Sequence, residues 1–216
     1  AQNGSVLTDN PFNDYVIKGE VYGAPICMTR SERDYLYDFQ SSNDKLSRVK
    51  DIFCFQAFVG CRVGDLTSFT KGDIIDETLI YYPNKTLKDN REPAKVPLST
   101  KAKAILEKYD LEDGSLLPYI SHQKYNEYIK ELFKEAKMDR LVTRLNPQTM
   151  KKETLPLHDV ATSHLARRTF IHLLHKNVKD SVIGSMSGHA KGSKAFERYY
   201  EVDDETRRDA INKYLD

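Results

Sequence analysis

Residues 163–170 read SHLARRTF and place His164 and Arg167 three positions apart. In a helix this spacing puts the imidazole and the guanidinium on one face, one turn apart. An arginine can hold two oxygens of a phosphoryl group, and a neighbouring histidine can move or share a proton. The pair also occurs by chance on surface helices, so its meaning depends on the residues upstream and downstream.

The composition is that of an ordinary globular protein with a real core. The chain has 216 residues, of which 39% are hydrophobic and 30% are charged. No apolar run approaches the roughly 18 residues that a membrane span needs, and the N-terminus lacks a signal-peptide pattern. We therefore expect a cytoplasmic protein without a membrane partner.

Charge is distributed unevenly along the chain. The net charge is +1, which excludes a globally basic nucleic-acid protein. Residues 201–216 contain six acidic and three basic side chains, a net charge of −3, so the rest of the chain carries +4. Any nucleic-acid-binding face must therefore be a local patch.

The three cysteines give no sign of a disulfide framework or a metal site. Cys54 and Cys61 lie in an apolar stretch, and neither they nor Cys27 has zinc-knuckle spacing. We interpret them as small hydrophobic residues in a reducing compartment. His172 and His175 lack a carboxylate or thiol that would complete a zinc site, so neither metal nor cofactor is predicted.

Two helices, the second of them buried, are predicted in the first part of the chain. A capping box at 29–32 predicts a helix from about Arg30, with Tyr35, Leu36 and Phe39 on its inner face. The apolar segment 46–61 predicts a core helix, which runs directly into Arg62. Asp65 either pairs with this arginine or orients it toward a ligand anion.

β-forming residues at 76–83 and 94–98 flank a charged, turn-rich segment, which predicts an antiparallel hairpin with a long tip. Lys85 ends the first strand and Lys88 lies in the tip. Such lysines are normally solvated, but on a groove-facing hairpin they could reach DNA or act as an acid. With helices elsewhere, the fold class is mainly α with a small antiparallel β-hairpin (α+β).

Helices are also predicted in the second half, at 100–109, 122–138, about 160–176, 177–186 and 193–200. Between the second and third of these lies the most concentrated basic run, which is either a solvated loop or a phosphate-contacting one. Its candidate DNA-binding residues are Arg140, Arg144, Lys151 and Lys152. The acidic C-terminus predicts one more helix at 203–215.

The order of these features resembles the catalytic domain of the tyrosine recombinases, the phage-integrase family that includes lambda integrase and Cre. The order is an arginine after a buried helix, a lysine at a hairpin, His164-x-x-Arg167, Gly188-His189, and tyrosines at 199 and 200. The resemblance covers about residues 25–200. More narrowly, the chain looks like integrases of conjugative and mobilizable transposons. Each motif alone is weak, whereas five in order are specific.

The resemblance implies a role for each residue. Arg62 and Arg167 would clamp the scissile phosphate, and His189 would donate a hydrogen bond to it. Lys85 would protonate the leaving 5′-hydroxyl, with Lys88 as the alternative, and His164 would assist proton transfer at the nucleophile. A tyrosine would attack phosphorus and form a 3′-phosphotyrosyl link, without metal or cofactor.

The nucleophile is assigned to Tyr199, with Tyr200 as the alternative. The family commonly has nine residues from the Gly-His histidine to the nucleophile, a position that Arg198 occupies here. The Ala-Phe-x-Arg-Tyr pattern favours Tyr199, with one extra residue in the preceding loop. Arg168 also departs from the family, in which many relatives have histidine, but the spacing between His164 and Arg167 is kept.

The family pattern also predicts organisation and partners. Residues 1–20 are expected to be a linker from a missing N-terminal core-binding domain, and residues 21–216 the catalytic domain. The partner would be double-stranded DNA at attachment sites, bound by a homotetramer on paired sites, while the fragment alone would be a monomer. The alternatives are a type IB topoisomerase-like enzyme and a catalytically silent DNA-binding relative.

Overall fold

A computed structural model describes residues 25–87, 92–146, 148–175, 177–189 and 211–214. In this part of the chain, no helix combines the length and apolar character required to cross a membrane. The α-helices are α1 Arg30–Asp38, α2 Asp44–Val59, α3 Val63–Leu66, α4 Thr100–Leu106, α5 His122–Glu135, α6 Leu157–Val160, α7 Ser163–His175 and α8 Asp180–Ser187. The strands are β1 Ile74–Ile75, β2 Thr78–Tyr81, β3 Ala94–Pro97, β4 Leu141–Leu145 and β5 Lys152–Pro156.

Helix α1 begins where the capping box predicts. The Thr29 hydroxyl accepts from the Glu32 amide at 3.1 Å, and the Glu32 carboxylate accepts from the Thr29 amide at 2.8 Å. Of the predicted inner face, Leu36 is fully buried and Phe39 is partly buried. Tyr35 is 52% exposed, so its expected burial was wrong. Its hydroxyl instead donates to the carbonyl of Ala136 at 3.2 Å, at the rim of the core.

Helix α2 is the buried centre of the fold. It packs against α7 and α5, and the Phe53 and Phe133 rings meet edge to face with centroids 5.1 Å apart. The helix ends at Gly60, which adopts the left-handed conformation at φ 70°. A Cβ at this position would lie 2.2 Å from the Phe170 ring. Glycine is therefore required both by the backbone and by the approach of α7.

The predicted hairpin is part of a three-stranded antiparallel sheet in the order β1-β2-β3. Leu79 pairs with Val96, and Tyr81 pairs with Ala94. Strand β2 starts later than expected because Asp76 and Glu77 form a tight turn with φ of 47° and 58°. This turn joins β2 to the unpredicted strand β1, and two successive positive φ values are typical of hairpin turns.

A second hairpin, β4–β5, occupies the basic segment that was expected to be irregular. The hydroxyls of Thr143 and Thr154 lie 3.1 Å apart across the strands, and Arg144 forms an ion pair with Glu153 in the next pair. Leu141 on β4 is 67% exposed. The expected loop was wrong because this hairpin presents little of the inside–outside alternation that identifies a half-buried strand.

The helix predicted from about Val160 to Lys176 is α7, which begins later, at Ser163, and a separate short helix, α6, ends at Val160. Ala161 between them is extended, at φ −65° and ψ 132°, and the Ser163 amide at the start of α7 donates to the Asn126 side chain of α5 at 2.8 Å. This side chain satisfies one of the free amides of the first turn. The segments 1–20 and 193–200 lie outside the described residues. Residues 211–214 are helical, while the full helix at 203–215 stays a prediction.

Burial agrees with the structural interpretation of the cysteines. Cys54 and Cys61 are buried free thiols, and Cys27 is half-buried. Burial raises the pKa of Cys54 to about 12 and that of Cys61 above its ordinary range. Both thiols are therefore protonated at neutral pH and behave as small apolar side chains.

Candidate active site

The turn between α2 and α3 presents Arg62. The residue has an extended backbone and directly precedes α3. The guanidinium is half-buried, and its Nη1 is fully buried without a hydrogen-bond partner among the described residues. A buried cationic donor without an acceptor is unfavourable. The arrangement fits a side chain that receives an anionic ligand.

Arg167 is 5% exposed and lies at the centre of the site. Its Nη1 donates to the carbonyl of Gly60 and to the carbonyl of Ser187, both at 2.7 Å. It therefore ties α7 to the turn before Arg62 and to the end of α8. These bonds fix one side of the guanidinium, because its planar fork allows little independent movement of the two amino groups.

His189 follows α8 directly after Gly188, whose φ is 66°. Its Nδ1 lies 2.8 Å from the Ser187 hydroxyl, and Nη2 of Arg167 lies 3.1 Å and 3.2 Å from the two ring nitrogens. Burial, followed by the charges of Arg167 and Arg62, lowers the pKa of His189 to about 3. The imidazole is therefore neutral at physiological pH.

His164 lies in the first turn of α7 and is exposed. Partial desolvation lowers its pKa below the ordinary value, and the charges of Arg168, Arg167 and Arg62 act in the same direction. Both predicted arginines therefore act electrostatically on both predicted histidines. The structure brings these four residues into one site, and the neutral His164 ring can accept a proton.

Asp65 connects this site to the hairpin. Its buried carboxylate accepts from the Asn84 amide at 2.9 Å through Oδ1, and no ion pair joins it to Arg62 in the part of the chain that the structure describes. Of the two interpretations offered for Asp65, direct pairing therefore receives no support. The carboxylate holds α3 against the segment that follows β2.

Lys85 is exposed in a short 3₁₀-helix, Asn84–Thr86. Two contacts hold this helix beside the site. The first is the Asn84–Asp65 bond, and the second is the packing of Pro83 on Gly188, where an added Cβ would lie 2.4 Å from the proline ring. The two residues that precede the lysine are thus anchored to α3, which follows Arg62, and to Gly188, which precedes His189. Lys88, Tyr199 and Tyr200 lie outside the described residues.

The predicted DNA-binding residues divide into two kinds. Arg140 pairs with Glu32 at 2.6 Å and donates to the Cys27 carbonyl at 2.8 Å, and Arg144 pairs with Glu153. The charges of these two side chains are therefore already compensated within the protein. Lys151 and Lys152 are exposed at the start of β5, and no ion pair involves them within the described ranges.

Two side chains that support the site, those of Gln56 and Ser187, were not predicted from the sequence. The Gln56 amide in α2 donates to the Cys61 carbonyl at 3.1 Å and accepts from the Tyr125 hydroxyl at 3.1 Å. It thereby holds the turn that precedes Arg62. The feature of the sequence that could have identified Gln56 is a single polar amide inside an otherwise apolar helix. Ser187 contacts His189, and its signal was a hydroxyl directly before the Gly-His pair.

Solved structures of recombinases share this fold. XerA recombinase is 17% identical with a TM-score of 0.59, covering 90% of this chain and 67% of its own. The Tn1549 transposon integrase, in complex with a circular intermediate DNA, is 15% identical with a TM-score of 0.60, and the match covers 87% of this chain and 65% of the integrase chain. A lambda integrase dimer bound to a core site is 20% identical with a TM-score of 0.58, and the match covers 82% of this chain and 61% of the lambda integrase chain.

This chain therefore spans between 61% and 67% of the length of these three structures. The comparison confirms the predicted fold class, a mainly helical domain with small antiparallel sheets. No curated protein matches the sequence. The model of the phage integrase family matches residues 27–206, a range that contains all the predicted catalytic residues. The chain belongs to the phage integrase family and has the catalytic-domain fold of the tyrosine recombinases.

Proposed function

We propose that this protein is a site-specific DNA recombinase of a mobile element, which cleaves and rejoins DNA through a 3′-phosphotyrosyl intermediate. The observation that carries the proposal is the buried Nη1 of Arg62, which has no acceptor among the described residues and lies in the same site as Arg167. Two guanidiniums can neutralise the charge that a phosphodiester develops on its oxygens during displacement.

The chemistry divides among the site residues. Arg62 and Arg167 hold the two non-bridging oxygens of the scissile phosphate. The Tyr199 phenol attacks phosphorus, its proton passes to the neutral imidazole of His164, and the P–O bond to the 5′-oxygen breaks. Lys85 donates a proton to that leaving oxygen, which departs as a 5′-hydroxyl. The reverse attack by a DNA hydroxyl on the phosphotyrosine rejoins the strand, so no external energy source is required.

The tethering of the hairpin supports the role of Lys85. An acid on a free loop would lose much of its effect, because catalysis by proton transfer requires hydrogen-bond reach of the reacting atom. Asp65 and Gly188 hold Asn84 and Pro83, the two residues directly before Lys85. Lys88 is the alternative acid, and Tyr200 is the alternative nucleophile.

The proposed partner is double-stranded DNA at the attachment sites of the element. Support comes from the similar structures, in which a Tn1549 integrase and a lambda integrase are bound to DNA. The proposal includes assembly as a homotetramer on paired sites and action in the cytoplasm.

The test is covalent trapping on nicked suicide duplexes that carry the ends of the element. After cleavage the short fragment dissociates, so a 3′-phosphotyrosyl adduct accumulates and survives denaturation. Mass spectrometry of the modified peptide is expected to place the DNA on Tyr199, and the Tyr199→Phe variant is expected to form no adduct. DNA on Tyr200 would keep the activity but move the nucleophile. Tight binding without any adduct would overturn the proposal in favour of a silent DNA-binding protein.

A further inference from the structure

Three buried polar atoms around the site have no hydrogen-bond partner among the described residues. They are Nη1 of Arg62, Oδ2 of Asp65 and the hydroxyl of Tyr81. Asp65 is 2% exposed and Tyr81 is 6% exposed, so neither side chain is open to bulk water. The proposed function assigns Nη1 of Arg62 to the scissile phosphate. One carboxylate oxygen and one phenol remain, and leaving both of them unpaired would be unfavourable.

The phenol and the carboxylate lie in neighbouring parts of the fold. Tyr81 is the last residue of β2, and Asn84, three residues further along the chain, donates its amide to Oδ1 of Asp65 at 2.9 Å. The ring of Tyr81 packs at 60° on that of Phe69, with centroids 4.8 Å apart. Phe69 follows α3, the helix that contains Asp65. The Tyr81 side chain is therefore held against the end of the helix that carries the carboxylate.

The electrostatics agree with this placement. Burial is the largest cause of the raised pKa of the Tyr81 phenol, and four ionisable neighbours have smaller effects on it, Cys61, Arg167, Asp65 and Arg62. The phenol is therefore protonated at neutral pH and has one proton to donate. A carboxylate oxygen accepts such a proton. The two groups are complementary, yet they lie outside direct hydrogen-bond distance of each other.

We propose that one buried water joins the Tyr81 hydroxyl to Oδ2 of Asp65, and that Tyr81 is thereby a positioning residue for Lys85. The phenol donates to the water, and the water donates to the carboxylate, whose other oxygen already accepts from the Asn84 amide. Buried waters make about two to four hydrogen bonds and occur where polar groups would otherwise be unpaired. The role of Lys85 as the acid rests on the proposed function.

The consequence for the reaction concerns the acid alone. Asn84 directly precedes Lys85 in the 3₁₀-helix, so an Asp65 carboxylate that is free to rotate would let the start of this helix move relative to α3. A displaced acid protonates the leaving 5′-oxygen less often, because proton transfer requires hydrogen-bond reach. The phosphate contacts of the two arginines are unaffected. The expected loss is therefore confined to the step that breaks the P–O bond.

A crystal structure of the full chain, at a resolution that shows ordered water, tests the bridge itself. We expect one water within about 3.2 Å of both the Tyr81 hydroxyl and Oδ2 of Asp65. A direct bond from Arg62 to Oδ2, or a protein acceptor on the phenol in place of the water, would overturn the proposal. Empty density between the two atoms would do the same.

Tyr81→Phe removes the hydroxyl and keeps the ring that packs on Phe69. Tyr119→Phe is the matched control, because its hydroxyl is also buried without a partner among the described residues, while the ionisable neighbours that act on its pKa are Cys61 and Asp73. An unpaired phenol gains nothing from its hydroxyl, so we expect Tyr119→Phe to leave the urea midpoint unchanged or to raise it. Tyr81→Phe should lower the midpoint, and a raised midpoint would contradict the bridge.

A sulfur-substituted duplex separates the positioning of the acid from a general structural role. Sulfur in place of the bridging 5′-oxygen gives a thiolate leaving group, whose low basicity removes the need for an acid. On the ordinary suicide duplex we expect Tyr81→Phe to slow adduct formation roughly tenfold at unchanged DNA affinity. On the sulfur-substituted duplex Tyr81→Phe and Lys85→Ala should both return to the wild-type rate. Tyr119→Phe should match the wild type on both duplexes.

The outcomes distinguish the positioning role from the proposed function. A wild-type rate of Tyr81→Phe on the ordinary duplex, or a loss that sulfur does not restore, would refute the positioning role. Restoration of Tyr81→Phe without restoration of Lys85→Ala would move the acid to another residue and likewise contradict the proposal. If the wild-type protein forms no adduct on either duplex, the proposed function fails together with the role of Tyr81 in the reaction, and the crystal structure and the urea midpoints still decide whether the water bridge exists.

Discussion

At the scale of single residues, the two site arginines differ in what they do for the fold. The described contacts of Arg167 satisfy the carbonyls of Gly60 and Ser187, whereas Nη1 of Arg62 is buried without an acceptor among the described residues. The first arrangement stabilises the native state. The second is unfavourable in the absence of a ligand, as expected where a protein reserves a donor for binding.

Substitution by methionine should separate these roles. We expect Arg62→Met to leave the free energy of unfolding unchanged, or to raise it by up to about 1 kcal/mol, while abolishing the covalent adduct. Arg167→Met should lower it by about 3–5 kcal/mol, because two carbonyls lose a charged donor. Urea denaturation measures both values. Equal destabilisation by the two variants would show that Arg62 also has a structural partner.

The imidazole of His189 should make stability depend on pH. Its folded-state pKa, about 3, lies below the ordinary value of 6.5, so below that value the unfolded chain binds more protons than the native state. Stability contributed by the neutral ring is therefore complete above pH 6.5 and is lost as the pH falls toward 3. Between pH 5.5 and 4.5 we expect His189→Gln to reduce the slope by about 1 kcal/mol per pH unit.

Thermal or urea unfolding across this range checks the expectation. His175→Gln is the control, because that imidazole contacts the His172 carbonyl at the end of α7 and touches neither site arginine in the described contacts. An identical slope in the wild type and in His189→Gln would mean that the His189 ring is protonated at its ordinary pH in the folded protein.

Residue type and spacing, together with the resemblance to the tyrosine recombinases, selected Arg62, His164, Arg167 and His189, which the structure brings together. The partner of Asp65 could not be found in this way. It is the backbone amide of Asn84, and since every residue except proline has such an amide, nothing in the sequence marks this one. The grouping of these chemically distinctive side chains was therefore predictable, whereas a contact with a backbone amide was not.

At the scale of elements, the glycines that end α2 and α8 allow the elements around the site to pack closely against one another. We expect Gly60→Ala to destabilise the protein by about 2–4 kcal/mol, because its Cβ would enter the Phe170 ring at a positive φ. Gly64→Ala is the matched control, since nothing lies within 4 Å of its Cβ. It should stabilise α3 by up to about 1 kcal/mol. Similar losses in both variants, measured by denaturation, would contradict the close approach of α7.

Predictability of the elements followed the strength of their local signals. The capping box correctly predicted the start of α1, and the apolar run predicted the bounds of α2 to within two residues at each end. The β4–β5 hairpin was missed because Leu141 and Leu145 are exposed, which removes the alternation on which a strand prediction depends. The turn of β1–β2 was missed because Asp76 and Glu77 adopt positive φ without a glycine.

At the scale of the whole molecule, the small net charge of +1 makes DNA binding depend on where the cations lie. Lys151 and Lys152 are exposed, whereas Arg144 beside them is paired with Glu153. If the β4–β5 hairpin contacts phosphates, neutralising either lysine should reduce the dependence of log affinity on log salt by about 1. Arg144→Gln should change it less, since its charge is already compensated.

Filter binding across salt concentrations measures the slopes for Lys151→Gln, Lys152→Gln and Arg144→Gln. Wild-type slopes in both lysine variants would place the DNA on another face and leave the hairpin without a role in binding.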